Sequence, residues 1–81
     1  MPTRRIADPF AKKIGARIRD LRLDRGKSLA ALAEASDVST GHLSTIERGY
    51  VLMNVGTLGR IAKGLGVGMG ELFTGVEGAQ Q

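Results

Sequence analysis

The 81-residue chain contains no cysteine, no tryptophan, three aromatic residues and one histidine. The lack of cysteine excludes a disulfide framework and any thiolate metal site, and one histidine cannot form a histidine-rich metal site. Few aromatic side chains argue against a single-strand nucleic-acid binder, because such proteins stack bases on aromatic rings. No apolar run approaches the ~20 residues of a membrane span, and the start lacks an apolar signal core. We therefore expect a cytoplasmic protein.

The sequence contains no pattern typical of an enzyme. It has no paired carboxylates at catalytic spacing, no nucleophile beside a candidate base and no cluster of metal ligands. We therefore predict no catalytic residue, no metal site and no cofactor.

Basic residues are concentrated near the amino terminus. Residues 1–27 contain nine Lys or Arg against three Asp, which gives +6, whereas residues 28–81 contain three basic and five acidic residues, which gives −2. This asymmetry favours a polyanionic partner, although small basic proteins often show it by chance.

Helical periodicity predicts an all-α fold. Phe10, Ile14, Ile18 and Leu21 form one apolar stripe behind the Asp8-Pro9 start signal. Four further helices follow over about 29–35, 39–49, 54–65 and 67–73. We divide the chain into a basic arm over 1–8, a helical domain over 9–73 and a flexible tail over 74–81.

The segment 28–49 predicts two short helices joined by a tight turn. In the second of these helices Leu43 and Ile46 face the core, so at ~100° per residue Gly41, Thr45 and Arg48 lie on the opposite face, together with Ser44. Ser39 and Thr40 lie at the exposed amino-terminal end. Such a small, polar face can closely approach the floor of a DNA major groove, where a threonine can donate, accept or offer its methyl group to thymine.

Two charged residues fall on core-facing positions. Arg22 lies four residues after Ile18, and Glu47 lies four residues after Leu43. Two unpaired charges there would be costly, so we predict that Arg22 and Glu47 form a salt bridge that holds the third helix against the first. The alternative is that each side chain bends into solvent at a helix edge.

The chain resembles the lambda-repressor-like, Cro-type helix-turn-helix family, also called the xenobiotic-response-element family. The resemblance runs without gaps from about Ile14 to Phe73 and is carried by the segments Ile14–Arg22, Ser28–Ser39, Leu43–Gly49, Thr57–Val67 and Glu71–Phe73. It implies a compact five-helix domain with a helix-turn-helix motif at about 29–48. It also implies a homodimer that binds a palindromic operator in double-stranded DNA, as a repressor or autoregulator.

The resemblance also implies which residues contact DNA. These positions are Ser39, Thr40, Gly41, His42, Ser44 and Thr45. Lys27, Ser28 and Arg48 complete the set that we predict, Lys27 and Ser28 as phosphate contacts. The chain departs from the family at Leu29, commonly a glutamine that contacts phosphate, at Asp37, usually glycine, and at Gly41, a base-reading position without a side chain here.

Several surfaces allow two interpretations. The His42 side chain could contact DNA or remain solvated, and Tyr50 could bond a phosphate or cover the following loop. The apolar residues Met69, Leu72 and Phe73 could complete the monomer core, but we favour a dimer interface because a small domain cannot easily bury them all. The alternative function is a protein-interaction module that uses the apolar 50–53 loop or the last helix.

Overall fold

The computed structural model describes residues 9–50 and 54–76. Within these ranges the chain forms α1 (Pro9–Asp24), α2 (Leu29–Ala35), α3 (Thr40–Glu47), α4 (Val55–Leu65) and a 3₁₀ helix (Met69–Phe73). The prediction of an all-α architecture is confirmed for the described part of the chain. The prediction of a fifth α-helix is wrong, because glycines at 68 and 70 disfavour α-helix and the segment forms a single short 3₁₀ element.

Polar caps fix where three of the helices begin. Each cap accepts a hydrogen bond from the backbone N–H three residues later, which satisfies one of the free amides of the first turn. The caps are Ser28 for α2, Ser39 for α3 and Asn54 for α4, with donor–acceptor distances of 3.0, 3.0 and 2.8 Å. Gly66, with φ of 77°, ends α4 in the left-handed conformation that glycine adopts without a steric cost.

The core is one apolar cluster to which every element contributes. Its largest fully buried side chains are Ile18 of α1, Leu32 of α2, Leu43 and Ile46 of α3, Ile61 of α4 and Leu72 of the 3₁₀ helix. The helix-turn-helix pair packs on α1 through α3 and on α4 through α2. This arrangement leaves one long side of α3 away from the core.

The core extends further along the chain than the sequence indicates. Val76 is only 2% exposed and its backbone N–H donates to the carbonyl of Phe73, so Val76 packs into the core although the sequence places it in the tail. Leu72 is also fully buried within the monomer. It offers no surface to a second chain, which corrects its assignment to a dimer interface.

A buried ion pair joins α1 to α3. Arg22 donates to both carboxylate oxygens of Glu47, at 2.8 Å from Nε and 3.0 Å from Nη2, and both residues are 9% exposed. Arg22 also donates through Nη1 to the Lys27 carbonyl at 3.1 Å. The hydrogen bond to Glu47 raises the pKa of Arg22 above its ordinary value, against the opposing effect of burial.

Two glycines allow α1 and the end of α3 to approach closely. A Cβ at Gly15 would collide with the backbone carbonyl groups of Ile46 and Glu47. A Cβ at Gly49 would lie 2.8 Å from Cβ of Lys12, and Gly49 also has φ of 78°. The Arg22–Glu47 pair therefore spans an interface in which the backbones are already in contact.

Three further arginines connect elements that are distant in sequence. Arg25 donates to the Leu65 carbonyl at 2.9 Å, and Arg60 donates to the Ser36 carbonyl at 3.2 Å, so each satisfies an acceptor at the end of a helix. Arg17 donates to the carbonyl and the carboxylate of Glu71, both at 2.9 Å. These contacts hold the last turn of α2, the last turn of α4 and the 3₁₀ helix in place.

We expect the Arg22–Glu47 pair to show strong coupling in a double-mutant cycle. Each single variant, Arg22→Ala and Glu47→Ala, leaves the remaining charge unpaired in a buried site. Each should lower the free energy of unfolding by about 3 kcal/mol. The double variant should lose much less than the sum, as measured by urea denaturation. Additive losses would contradict a direct interaction between the two side chains.

Candidate DNA interface

A tight turn sets the angle between α2 and α3. Asp37 has φ of 58° and is the one residue other than glycine in the described ranges with a left-handed backbone. The N–H of Val38 then donates to the Ala33 carbonyl at 3.0 Å, which closes the turn. Asp37 thus adopts the left-handed conformation that the turn requires, a conformation that aspartate tolerates better than most side chains.

Burial on one side of α3 fixes what the helix presents on the other. Leu43, Ile46 and Glu47 are buried, and the opposite positions are exposed or half-buried. Thr40, Gly41, His42 and Arg48 are exposed, whereas Ser44 and Thr45 are half-buried. The structure therefore places all the α3 residues predicted from the sequence on one accessible surface, which we call the α3 outer face.

Four positions of the α3 outer face, Thr40, Gly41, Ser44 and Thr45, have short side chains or none, and the hydrogen bonds of the two threonines differ. Gly41 is open: a Cβ built there would meet no atom within 4 Å. The Thr45 hydroxyl donates to the Gly41 carbonyl at 2.9 Å, one turn back along the helix. The Thr40 hydroxyl has no hydrogen-bond partner in the part of the chain that the structure describes. The two threonines therefore present different chemistry to a ligand.

Arg48 ends the α3 outer face in a constrained position. Its guanidinium carbon lies 5.7 Å from the centre of the Tyr50 ring, within the range of a cation–π contact, and its Nε donates to the Ser44 carbonyl at 3.4 Å. Arg48 and Tyr50 also line a shallow cleft with Lys12, Arg19 and Asp20 of α1 and with Glu47. The carboxyl-terminal end of α3 is thus adjacent to side chains of both charges, with three basic residues and two acidic ones around the cleft.

The amino-terminal end of α2 contains the other predicted phosphate contacts. Ser28 is exposed, and its side-chain oxygen is the cap acceptor for Ala31 N–H, which leaves its hydroxyl proton available to donate to a phosphate oxygen. Lys27 is half-buried, with its carbonyl held by Arg22. Both lie at the start of the two-helix motif, as the sequence predicts.

Some residues considered from the sequence lie outside the described ranges. These are Arg4 and Arg5 of the basic arm, Val51, Leu52 and Met53 of the apolar loop, and the tail beyond residue 76. Val55, the second residue after that loop, is 74% exposed at the start of α4.

An aromatic contact lies on the side of the molecule formed by α1 and the 3₁₀ helix. The Phe10 and Phe73 rings stack with centroids 6.4 Å apart. Phe10 remains 43% exposed, and Phe73 and Met69 are half-buried. Of the three residues assigned to a dimer interface, Met69 and Phe73 therefore retain accessible apolar surface.

Local sequence patterns did not reveal several of these contacts. Arg60, Arg25 and Arg17 satisfy acceptors 24, 40 and 54 residues away in sequence. Ser36 has a buried hydroxyl that finds no hydrogen-bond partner among residues 9–50 and 54–76, and it lies beside Gly64, where a Cβ would be 2.5 Å from that oxygen. Such pairings depend on how the helices cross, and no periodicity within one helix encodes them.

No group of three or more histidine, aspartate or glutamate side chains in residues 9–50 and 54–76 could hold a metal ion. Among the helices of those same ranges, none combines the length and apolar character required to cross a bilayer.

Comparison with known proteins identifies the class to which this geometry belongs. A family profile described as a helix-turn-helix domain matches residues 13–73. The chain belongs to this helix-turn-helix family, and its structural neighbours are regulators of the lambda-repressor-like type, which confirms the resemblance noted in the sequence.

Three relatives illustrate the similarity. The HTH-type transcriptional regulator DdrOP3 of Deinococcus deserti is 37% identical over 65 residues, which are 80% of this chain and 50% of DdrOP3. The chain thus spans half the length of that relative. The clp gene regulator ClgR from C. glutamicum is 33% identical with a TM-score of 0.81, over 89% of this chain and 94% of ClgR. The controller protein C.Esp1396I, solved as a nucleoprotein complex, is 28% identical with a TM-score of 0.76. The match covers 85% of this chain and 90% of C.Esp1396I.

The Ser39 cap provides a test of how α3 is held independently of any ligand. Ser39→Ala removes the acceptor for the His42 N–H and should lower the free energy of unfolding by about 1 kcal/mol. Ser39→Asp restores an acceptor, so its free energy of unfolding should lie within a few tenths of a kcal/mol of the wild-type value. Equal losses in both variants, measured by urea denaturation, would show that the cap does not stabilise α3.

Proposed function

We propose that this protein is a sequence-specific, double-stranded DNA-binding transcriptional regulator that acts as a homodimer, as a repressor or autoregulator of its target. In this proposal α3 enters the major groove of a palindromic operator with its outer face against the base edges. The observation that carries the proposal is the α3 outer face. It is accessible, its central side chains are short or absent, and the core and the Arg22–Glu47 pair hold α3 in position.

The contacts divide into two groups by chemistry. Thr40, Ser44 and Thr45 have side chains short enough to bring the helix close to base edges, and Gly41 adds no bulk. Ser39, His42 and Arg48 lie at the ends and flank of the same face, and Lys27 and Ser28 lie at the start of α2. We assign this second group to the phosphate backbone, which positions the protein without reading sequence.

The relatives support the same function. DdrOP3 and ClgR are named as regulators of transcription or of genes, and C.Esp1396I has been solved in a nucleoprotein complex. The net charge of +6 in residues 1–27 would strengthen association with DNA. A cytoplasmic location, on the nucleoid when bound, follows from this proposal.

Dimerisation is proposed through the surface around Met69 and Phe73, with Phe10 stacked beside them. A two-fold dimer presents two copies of α3 to one face of the duplex, so the operator half-sites should lie about one helical turn, or ~34 Å, apart. Leu72 supports this surface from within the core.

Selection of bound sequences from a random duplex pool tests the proposal most directly. We expect an inverted repeat bound by two chains, visible by footprinting and by sedimentation of the same sample. Thr40→Ala should weaken binding to that site by about 1–3 kcal/mol and leave binding to unrelated duplex unchanged. Thr74→Ala, on an exposed threonine of the 3₁₀ end, is the matched control and should change neither.

The selection could also contradict the proposal. An asymmetric site bound by a single chain would remove the homodimer. Equal weakening on all duplexes by Thr40→Ala would remove the reading role of α3.

The basic amino-terminal third predicts a strong dependence of DNA binding on salt. Each neutralised phosphate should contribute a slope of ~0.9 in log affinity against log salt concentration. Changing both Arg4 and Arg5 to Ala should reduce the slope without altering sequence preference if the arm touches only phosphates. Titration of a random duplex at several salt concentrations measures this, and a flat response would contradict the DNA-binding proposal.

A further inference from the structure

We propose that Thr45 recognises the 5-methyl group of a thymine in the operator, through its own γ-methyl group and the bare backbone at Gly41. This inference rests on the proposed function and adds the base chemistry that one position of the α3 outer face selects. It separates Thr45 from Thr40, although the two residues have the same side chain and share a face.

The hydroxyl proton of Thr45 is already committed. A threonine hydroxyl has one proton, and Thr45 donates it to the Gly41 carbonyl at 2.9 Å, a common bond between threonine and the preceding helical turn. Thr45 therefore cannot donate at the same time to the N7, O6 or O4 acceptors of a base edge. Its γ-methyl group and the lone pairs of its oxygen remain for contact.

The helix surface beside Thr45 is left uncovered at Gly41. Residues four apart in a helix lie one above the other on the same side, so Gly41 adjoins Thr45 on the outer face. A Cβ at Gly41 would have no atom within 4 Å, which means that the notch is open to an approaching base. Thymine carries the only apolar group on the major-groove edges of the four bases.

Thr40 provides the internal contrast. It is exposed, and its hydroxyl has no partner in the described part of the chain, so it can both donate and accept. We therefore assign hydrogen-bond readout to Thr40 and methyl readout to Thr45. The half-burial of Thr45 also fits an apolar role, because its contact with a base completes the removal of its methyl group from water.

The test uses the full chain and duplexes in which deoxyuridine replaces thymine, which deletes only the 5-methyl group. Each thymine in one half-site of the selected operator is replaced in turn. With wild-type protein, one replacement should lower the affinity about fourfold, the factor that corresponds to one buried methyl group. Thr45→Val retains the methyl group. It should bind the thymine operator with the wild-type affinity and show the same fourfold loss when deoxyuridine replaces that thymine.

Two further variants complete the experiment. Thr45→Ser keeps the hydroxyl but lacks the methyl group, so it should bind thymine and deoxyuridine duplexes equally at that position. Gly41→Ala fills the notch and should weaken specific binding while raising the melting temperature, because alanine favours a helix and meets no atom there. Thr74→Ser is the matched control, since Thr74 donates to the Gly70 carbonyl in the same pattern away from α3.

The results separate this inference from the proposed function. A specific operator that tolerates every deoxyuridine replacement would overturn the inference and leave the function intact. Loss of affinity in Thr45→Val with retention in Thr45→Ser would also overturn it, because the hydroxyl would then be the reading group. Absence of any sequence-specific site would overturn the proposed function and the inference together.

Discussion

The ion pair between Arg22 and Glu47 determines where α3 can lie relative to the rest of the molecule. Both groups are nearly buried, and Arg22 bonds both oxygens of the carboxylate and also the Lys27 carbonyl before α2. One guanidinium thus joins α1, the end of α3 and the start of α2. A buried pair with this much hydrogen bonding costs little net free energy when intact, but it is costly to break, so it favours one arrangement over its alternatives.

That arrangement is reinforced by the shape of the backbone. Gly15 lets α1 contact the last carbonyls of α3, and the core side chains Leu43 and Ile46 fix the rotation of α3 about its axis. The outer face of α3 is therefore rigid although its own side chains are small. A rigid face of short side chains suits close approach to a surface of fixed geometry, such as the floor of a major groove.

Sequence periodicity identified most of this architecture because most of it is local. The caps Ser28, Ser39 and Asn54, the left-handed Asp37 and the stop at Gly66, which the structure shows, each act within a few residues, so a local stretch of sequence is enough to encode them. The Arg22–Glu47 pair was also predictable, since two charges on core-facing positions require a partner.

The contacts that sequence reasoning missed depend on tertiary geometry. Arg25 and Arg60 bond carbonyls on other helices, and Val76 returns to the core after the 3₁₀ helix. Leu72 was assigned to a dimer surface because the apolar residues near the carboxyl terminus exceed what a small core was expected to cover. The core in fact reaches it, because the glycine-rich segment turns tightly and folds back over α1 and α4. Likewise, only the structure shows that the Thr45 hydroxyl is engaged within its own helix.

We propose that the α3 outer face, positioned by the buried ion pair, is the surface that contacts DNA bases. Titration of the isotope-labelled protein with its selected operator, followed through backbone amide resonances, tests this claim most directly. The account predicts the largest shifts at Thr40, Gly41 and Thr45, with smaller shifts at Lys27 and Ser28. Shifts confined to α1 and the 3₁₀ helix, with α3 unchanged, would contradict it.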